Sequence, residues 1–248
     1  MPVATLNDAE IHYEEYGQGF PILLFAPGGM RSRLEMWHPP AGGPPRPWND
    51  WTEVLAPFYR VVAMDQRNAG NSRAAISAED GWHSYAADHL ALMTHLGHEK
   101  FHTLGGCIGG TFCLRAAQAA PERVTSMVLQ NPIGLHPDFP RYFPDGFIEW
   151  SKEQLSARPE LDEAALQTFG EAMWGGDFVF GVSRDFVRQC NTPALVLPGD
   201  DTAHPQVIGL ELAELLPGAE MLREWKGPAH LAAQRERVVA FLARHTPG

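Results

Sequence analysis

The run Gly105-Gly106-Cys107-Ile108-Gly109 constrains this chain more than any other segment. Glycines two residues to either side of a reactive side chain mark the G-x-C-x-G form of a sharp strand-to-helix turn, where a larger residue would strike neighbouring backbone. The short run Phe101-His102-Thr103-Leu104 precedes it, Gly110 eases the exit, and the Ala-rich stretch Thr111 to Ala120 follows until Pro121 stops it. Strand, turn and helix therefore come in the order such a turn requires.

The rest of the chain alternates in the same way. Strand-like segments fall at Ile22 to Ala26, Val61 to Met64, Phe101 to Leu104, Val124 to Leu129, Ala194 to Leu197 and Met221 to Trp225. Helical spacing of apolar residues marks Tyr85 to Leu96, Val207 to Leu216 and Leu231 to His245. This pattern predicts an α/β fold with a mostly parallel sheet covered on both faces by helices. Thr5-Leu6, the turn pair Asn7-Asp8 and Ile11-His12-Tyr13 read instead as an antiparallel edge hairpin. Two segments interrupt the alternation. Trp37 to Trp51 holds five prolines that forbid a regular helix, and residues 131–184, with helical stretches at Phe147 to Leu155 and Glu163 to Met173, read as a small inserted cap. The expected organisation is one domain over residues 1–248, with that cap at about 131–184.

Composition narrows the class. A 44% hydrophobic fraction over 248 residues is enough for a full core, and no apolar stretch reaches membrane-spanning length. Met1 to Gly17 lacks a basic region followed by an apolar one, and three cysteines without disulfide or zinc spacing suit a reducing, cytoplasmic setting. A net charge of -11 with no basic stripe argues against nucleic acid. No histidine or cysteine pairing suggests a metal, and the oligomeric state stays open.

Four further motifs follow the expected order. Ala26-Pro27-Gly28-Gly29-Met30 follows an early strand, and Asp65-Gln66-Arg67-Asn68-Ala69-Gly70-Asn71-Ser72 is similar to a D-x-R-G-x-G-x-S signature, with Asn68 at its first glycine. Pro198-Gly199-Asp200-Asp201 and Gly227-Pro228-Ala229-His230 come late in the chain. With the elbow, these resemble the α/β-hydrolase fold superfamily over nearly the whole chain, in a form carrying a cysteine nucleophile. The resemblance implies nucleophile Cys107, acid Asp201 and histidine His230 in that order, with the loop Ala26-Pro27-Gly28-Gly29-Met30 lining an oxyanion hole. Asp200 is a rival for the acid; His204 could compete for the histidine, but its place just before Pro205 reads as a helix entry, on the surface or behind the triad and not in it. Arg67 reads as a structural charge tying loops below the site, while Arg31 and Arg33 could hold a substrate carboxylate or lie on a solvated loop.

Chemistry follows from these residue types. A thiol is a weak nucleophile until ionised, and a helix N-terminus with an adjacent imidazole favours the thiolate. Asp201 would fix the tautomer of His230, and the N–H groups of Ile108 and of Gly29 or Met30 would receive the oxyanion. The expected activity is cofactor-independent hydrolysis of a small ester, lactone or thioester through an S-acyl-enzyme. Among cysteine members, the resemblance points to dienelactone hydrolases and to polyhydroxyalkanoate synthases, whose elbow is similar to Gly106-Cys107-Ile108-Gly109-Gly110-Thr111. An acyltransferase using the same thioester, and a ligand-binding protein with little turnover, are the alternatives; a lyase or carbon-carbon hydrolase would use His230 mainly as a base.

Overall fold

The computed structural model describes residues 2–248. Strands β1 (Val3–Leu6) and β2 (Ala9–Tyr16) form the expected edge hairpin, antiparallel with Leu6 opposite Ala9. Its two-residue turn needs a left-handed residue, supplied by Asn7 at φ 52°. Strands β3 (Pro21–Phe25), β4 (Arg60–Met64), the two-residue β5 (Arg73–Ala74), β6 (Phe101–Gly106), β7 (Val124–Gln130), β8 (Ala194–Leu197) and β9 (Glu220–Met221) follow. The order across the sheet is β1-β2-β4-β3-β6-β7-β8-β9, with β5 paired to β2; from β4 to β9 every neighbour is parallel.

Both faces of the sheet are covered, so its central strands are buried almost throughout and largely apolar. In β3, Leu23 and Phe25 pack with Ile108, Phe112 and Met127 on one side. Ile22 and Leu24 pack with Leu104, Val128 and Phe241 on the other. The covering helices are α1 (Trp51–Leu55), α2 (Trp82–His95), α3 (Ile108–Ala119), α6 (Arg184–Gln189), α7 (Gln206–Leu215) and α8 (Leu231–Arg244). Helices α4 (Tyr142–Ala157) and α5 (Glu163–Trp174) stand in the segment expected to form a cap. The first begins earlier than its apolar spacing suggested, because Pro144 in its first turn gives up an N–H that has no intrahelical acceptor there.

One strand is shorter than expected. After Met221 a single further bond, Leu222 N–H to the Val196 carbonyl, continues the ladder. The chain then turns so that Trp225, 2% exposed, donates its indole N–H to the Pro198 carbonyl at 2.8 Å. The apolar residues at the end of the predicted strand thus serve packing across strands rather than pairing.

Candidate active site

The elbow joins β6 to α3, and its glycines are sterically required. A Cβ on Gly105 would lie 2.0 Å from the Gly109 carbonyl oxygen, and one on Gly109 would lie 2.3 Å from that of Phe25. Cys107 itself sits at φ 60° and ψ -122°, a strained conformation for a residue with a side chain. Two bonds hold it there: Cys107 N–H donates to the Gln130 carbonyl at 3.0 Å, and its own carbonyl accepts from Gly110 N–H at 3.1 Å. The thiol is thereby presented, partly exposed, at the N-terminus of α3.

The histidine beside this thiol is His204. Its Nδ1 donates to Asp201 Oδ1 at 2.7 Å, and the same oxygen accepts the backbone N–H groups of Ala203 and His204, each at 3.0 Å. One carboxylate oxygen therefore closes the turn and orients the ring. The opposite nitrogen, Nε2, is buried and makes no conventional hydrogen bond among the described residues. It acts on Cys107. Burial pushes the thiol up, but His204, together with the N–H groups of Gly28 and Ile108, brings it below its ordinary value. Burial disfavours the His204 imidazolium, yet Cys107 and Asp201 outweigh that and raise its pKa. Asp201, raised by burial, is lowered on balance by His204 and Lys226. These directions describe a thiolate and imidazolium that stabilise each other beside an ionised carboxylate.

His230 is not brought to the acid, and the expectation that it completes the set is corrected. It stands at the N-terminal boundary of α8 with its N–H on the Gly227 carbonyl, lining a small groove with Asp200, Gln206, Arg223 and Lys226. The physical reason is a set of bonds that fix this loop against the proline-rich segment. Gly227 N–H donates to the Pro47 carbonyl at 2.7 Å, and Asn49 Nδ2 donates to the Leu231 carbonyl at 2.8 Å. The spacing Asp201-x-x-His204-Pro205 was the available signal for the alternative, because three residues is the reach of an aspartate turn. Asp200 turns to Lys226 instead of to either histidine.

Ile108, an expected oxyanion donor, presents its N–H to the sulfur, and so does Gly28, from the loop that holds the other expected donors Gly29 and Met30. Gly29 and Met30 are drawn into a 3₁₀ turn, Gly29–Arg31, whose carbonyl at Gly29 accepts from Ser32 N–H. Gly28, at φ 127°, leaves no room for a side chain: a Cβ there would lie 3.2 Å from Ser32 Cα. Two backbone amides thus approach the sulfur from separate loops. Among the described residues no group of three or more His, Cys, Asp or Glu side chains could hold a metal ion, and no helix is long and apolar enough to cross a membrane.

The surrounding loops are tied by arginines. Arg67 is buried and reaches Asp8, Asp80 and Asp88 at once, joining the hairpin turn to α2 beneath the site. Asn68 adopts φ 59° where the signature has glycine, and its Oδ1 accepts from Ala74 N–H and from Arg158 at the end of α4. Arg31 makes two bonds, at 3.1 and 2.8 Å, to Glu153, so it ties the turn Gly29–Arg31 to α4. Arg33 pairs with its neighbour Glu35. The aromatic residues of the irregular segments are mostly core: Trp37, Trp51 and Trp150 are almost fully buried, and Phe143 stacks on Trp174 at 5.0 Å.

Comparison with known proteins follows this geometry. The family model described as alpha/beta hydrolase fold matches residues 21–172. A 2-hydroxy-6-oxo-6-phenylhexa-2,4-dienoate hydrolase of Comamonas testosteroni is 32% identical over 52% of this chain and 42% of its own length. The chain thus spans less than half the length of that relative. A non-heme haloperoxidase of Rhodococcus erythropolis is 31% identical over 76% of the chain and 68% of its own length. The solved enol-lactonase of Burkholderia xenovorans LB400 superposes with a TM-score of 0.66 at 21% identity, covering 98% of this chain and all of that one, and so shares the fold.

Proposed function

We propose that this chain, which belongs to the alpha/beta hydrolase fold family, is a cofactor-independent hydrolase of a small ester, lactone or thioester, working through an S-acyl-enzyme on Cys107. The hydrogen bond from His204 Nδ1 to Asp201 Oδ1 at 2.7 Å, with the other ring nitrogen turned to a thiol of lowered pKa, carries this reading. The relatives support the reaction class: their names describe a dienoate hydrolase and an enol-lactonase.

In this mechanism the Cys107 thiolate attacks the substrate carbonyl and forms the carbon–sulfur bond. Negative charge moves onto the carbonyl oxygen, where the N–H groups of Gly28 and Ile108 receive it; each such donor is worth roughly 3 kcal/mol in the transition state. The His204 imidazolium gives its proton to the departing alkoxide or thiolate as the carbonyl–heteroatom bond breaks. Neutral His204 then takes a proton from water, hydroxide adds to the thioester, and expulsion of the Cys107 thiolate releases the carboxylic acid. Asp201 stays ionised throughout and holds the ring in one tautomer.

Intact-protein mass spectrometry after brief mixing with activated esters, lactones and thioesters, followed by peptide mapping, tests the reading. The expected result is an acyl adduct confined to Cys107 that decays in water and is absent from Cys107→Ala. Turnover of any of these substrates with no adduct and with full activity in Cys107→Ala overturns it. Decay of the adduct only onto an added amine, thiol or alcohol would make the protein an acyltransferase.

A further inference from the structure

Lys226 lies on the loop expected to deliver the histidine, yet it faces the acid loop. Its ammonium pairs with Asp200 and stands 3.8 Å from Asp201 Oδ2, the oxygen that His204 does not use. Both flanking residues are anchored: the buried Trp225 through its indole bond to the Pro198 carbonyl, and Gly227 through its N–H to the Pro47 carbonyl. The ammonium also lies 5.2 Å from the centre of the Trp225 ring, which limits where the side chain can swing. A cation fixed in this way divides the labour of the carboxylate, one oxygen toward lysine and the other toward imidazole.

We propose that Lys226 is a positioning residue for the reaction, its charge attracting Asp201 Oδ2 across 3.8 Å so that Oδ1 stays turned to His204 and the carboxylate stays charged. This rests on the assignment of Cys107, His204 and Asp201 proposed above. The charged and titratable groups facing the contact are Asp200, Asp201 and His204 from the acid loop, and Arg223, Glu224 and His230 from the segment bearing Lys226 itself. Of these only Asp200 and Asp201 pair with its ammonium, so the lysine is the link between the loop after β9 and the acid. Removing its charge makes both thiolate and neutral imidazole harder to form. Both limbs of a bell-shaped pH profile therefore move to higher pH, by about half a unit for one charge at short range in a partly solvated setting.

The test measures the pH dependence of Cys107 alkylation by iodoacetamide, which needs no substrate, together with kcat and KM on whichever ester or lactone is turned over. Lys226→Met is expected to shift the alkylation profile upward and to lower kcat about tenfold with KM changed less than about twofold. Lys226→Arg is expected to restore the profile. Arg223→Gln, which removes a charge from the same groove without touching Asp201, is expected to leave it in place. An unshifted profile in Lys226→Met, or an equal shift in Arg223→Gln, overturns the proposal while leaving the triad intact. Alkylation of the unmodified protein with an ordinary thiol pKa overturns the triad assignment itself.

Discussion

Replacing His204 by alanine, beside a parallel replacement of His230, separates two catalytic geometries. In the folded protein burial raises the Cys107 thiol pKa, and the leading influence that lowers it is His204. Without the imidazole, burial is opposed only by two backbone amides, so the thiol returns to at least the free-cysteine value of about 8.5, where only about 3% is thiolate at pH 7. Alkylation of Cys107 at neutral pH should then fall at least about tenfold. Catalysis also loses its proton carrier, worth about 10² to 10⁴ in rate, so kcat/KM should fall by roughly 10³ or more. The assay follows iodoacetamide uptake by peptide mass from about pH 5 to about pH 9, a range that brackets the histidine and thiol titrations. Cys113 serves as an internal reference, since burial pushes its thiol up to about 12. His230→Ala should leave the alkylation profile unchanged and activity within about threefold, as befits a residue that contacts neither sulfur nor acid. Reactivity at low pH that survives in His204→Ala, or vanishes in His230→Ala, would refute the reasoning.

Three other perturbations probe the frame around the site. Arg67→Met leaves the buried Asp88 and Asp80 without their cation and should cost about 3–5 kcal/mol in urea unfolding; a loss below about 1 kcal/mol would show that the cluster is not an electrostatic tie. Burial lowers the pKa of both His89 and His102 from 6.5 to about 3, so the unfolded chain takes up protons first. Stability from these groups is complete above pH 6.5 and is lost as the pH falls toward 3, by up to about 1.4 kcal/mol per unit for each histidine. His89→Gln should flatten the decline of Tm between about pH 6 and about pH 4, and an unaltered slope would contradict the assignment. Gly109→Ala, whose Cβ would fall 2.3 Å from a Phe25 carbonyl oxygen, should cost several times as much as Gly29→Ala, where the space is empty and only the positive φ opposes a side chain, at about 1–2 kcal/mol. Equal losses would mean that the elbow can relax.

The elements that were legible in the sequence are those whose cause is local or periodic. Gly105 and Gly109 announce the elbow because nothing larger fits, and β3 announces itself because both faces of this central parallel strand are apolar. Asn7-Asp8 likewise carries its turn in its own conformational preference. The histidine was harder, because its assignment depends on where two loops dock. His230 lies at the family position in sequence, but the bond from Gly227 N–H to the Pro47 carbonyl and the bond from Asn49 to the Leu231 carbonyl, neither foretold by residue type, decide where that loop rests. That Gly28 presents its N–H to the sulfur was hidden for a comparable reason: it depends on where the following 3₁₀ turn begins. Lys226 carried no signal at all, since a lone lysine in a loop is usually solvated.

Because acid and base occupy one short turn, their contact spans three residues of chain, whereas the base reaches the sulfur only through the packing of β8 beside β7 and of β7 beside β6. The two distances should fail at different temperatures. The central strands open only with the whole fold, whereas the turn, half exposed at Asp201, can open by itself, so gentle heating should part the carboxylate from the imidazole while the sheet still holds Cys107 in place. Activity should accordingly decline ahead of global unfolding, and a loss of activity that coincides with the unfolding transition would show that the turn melts only with the sheet.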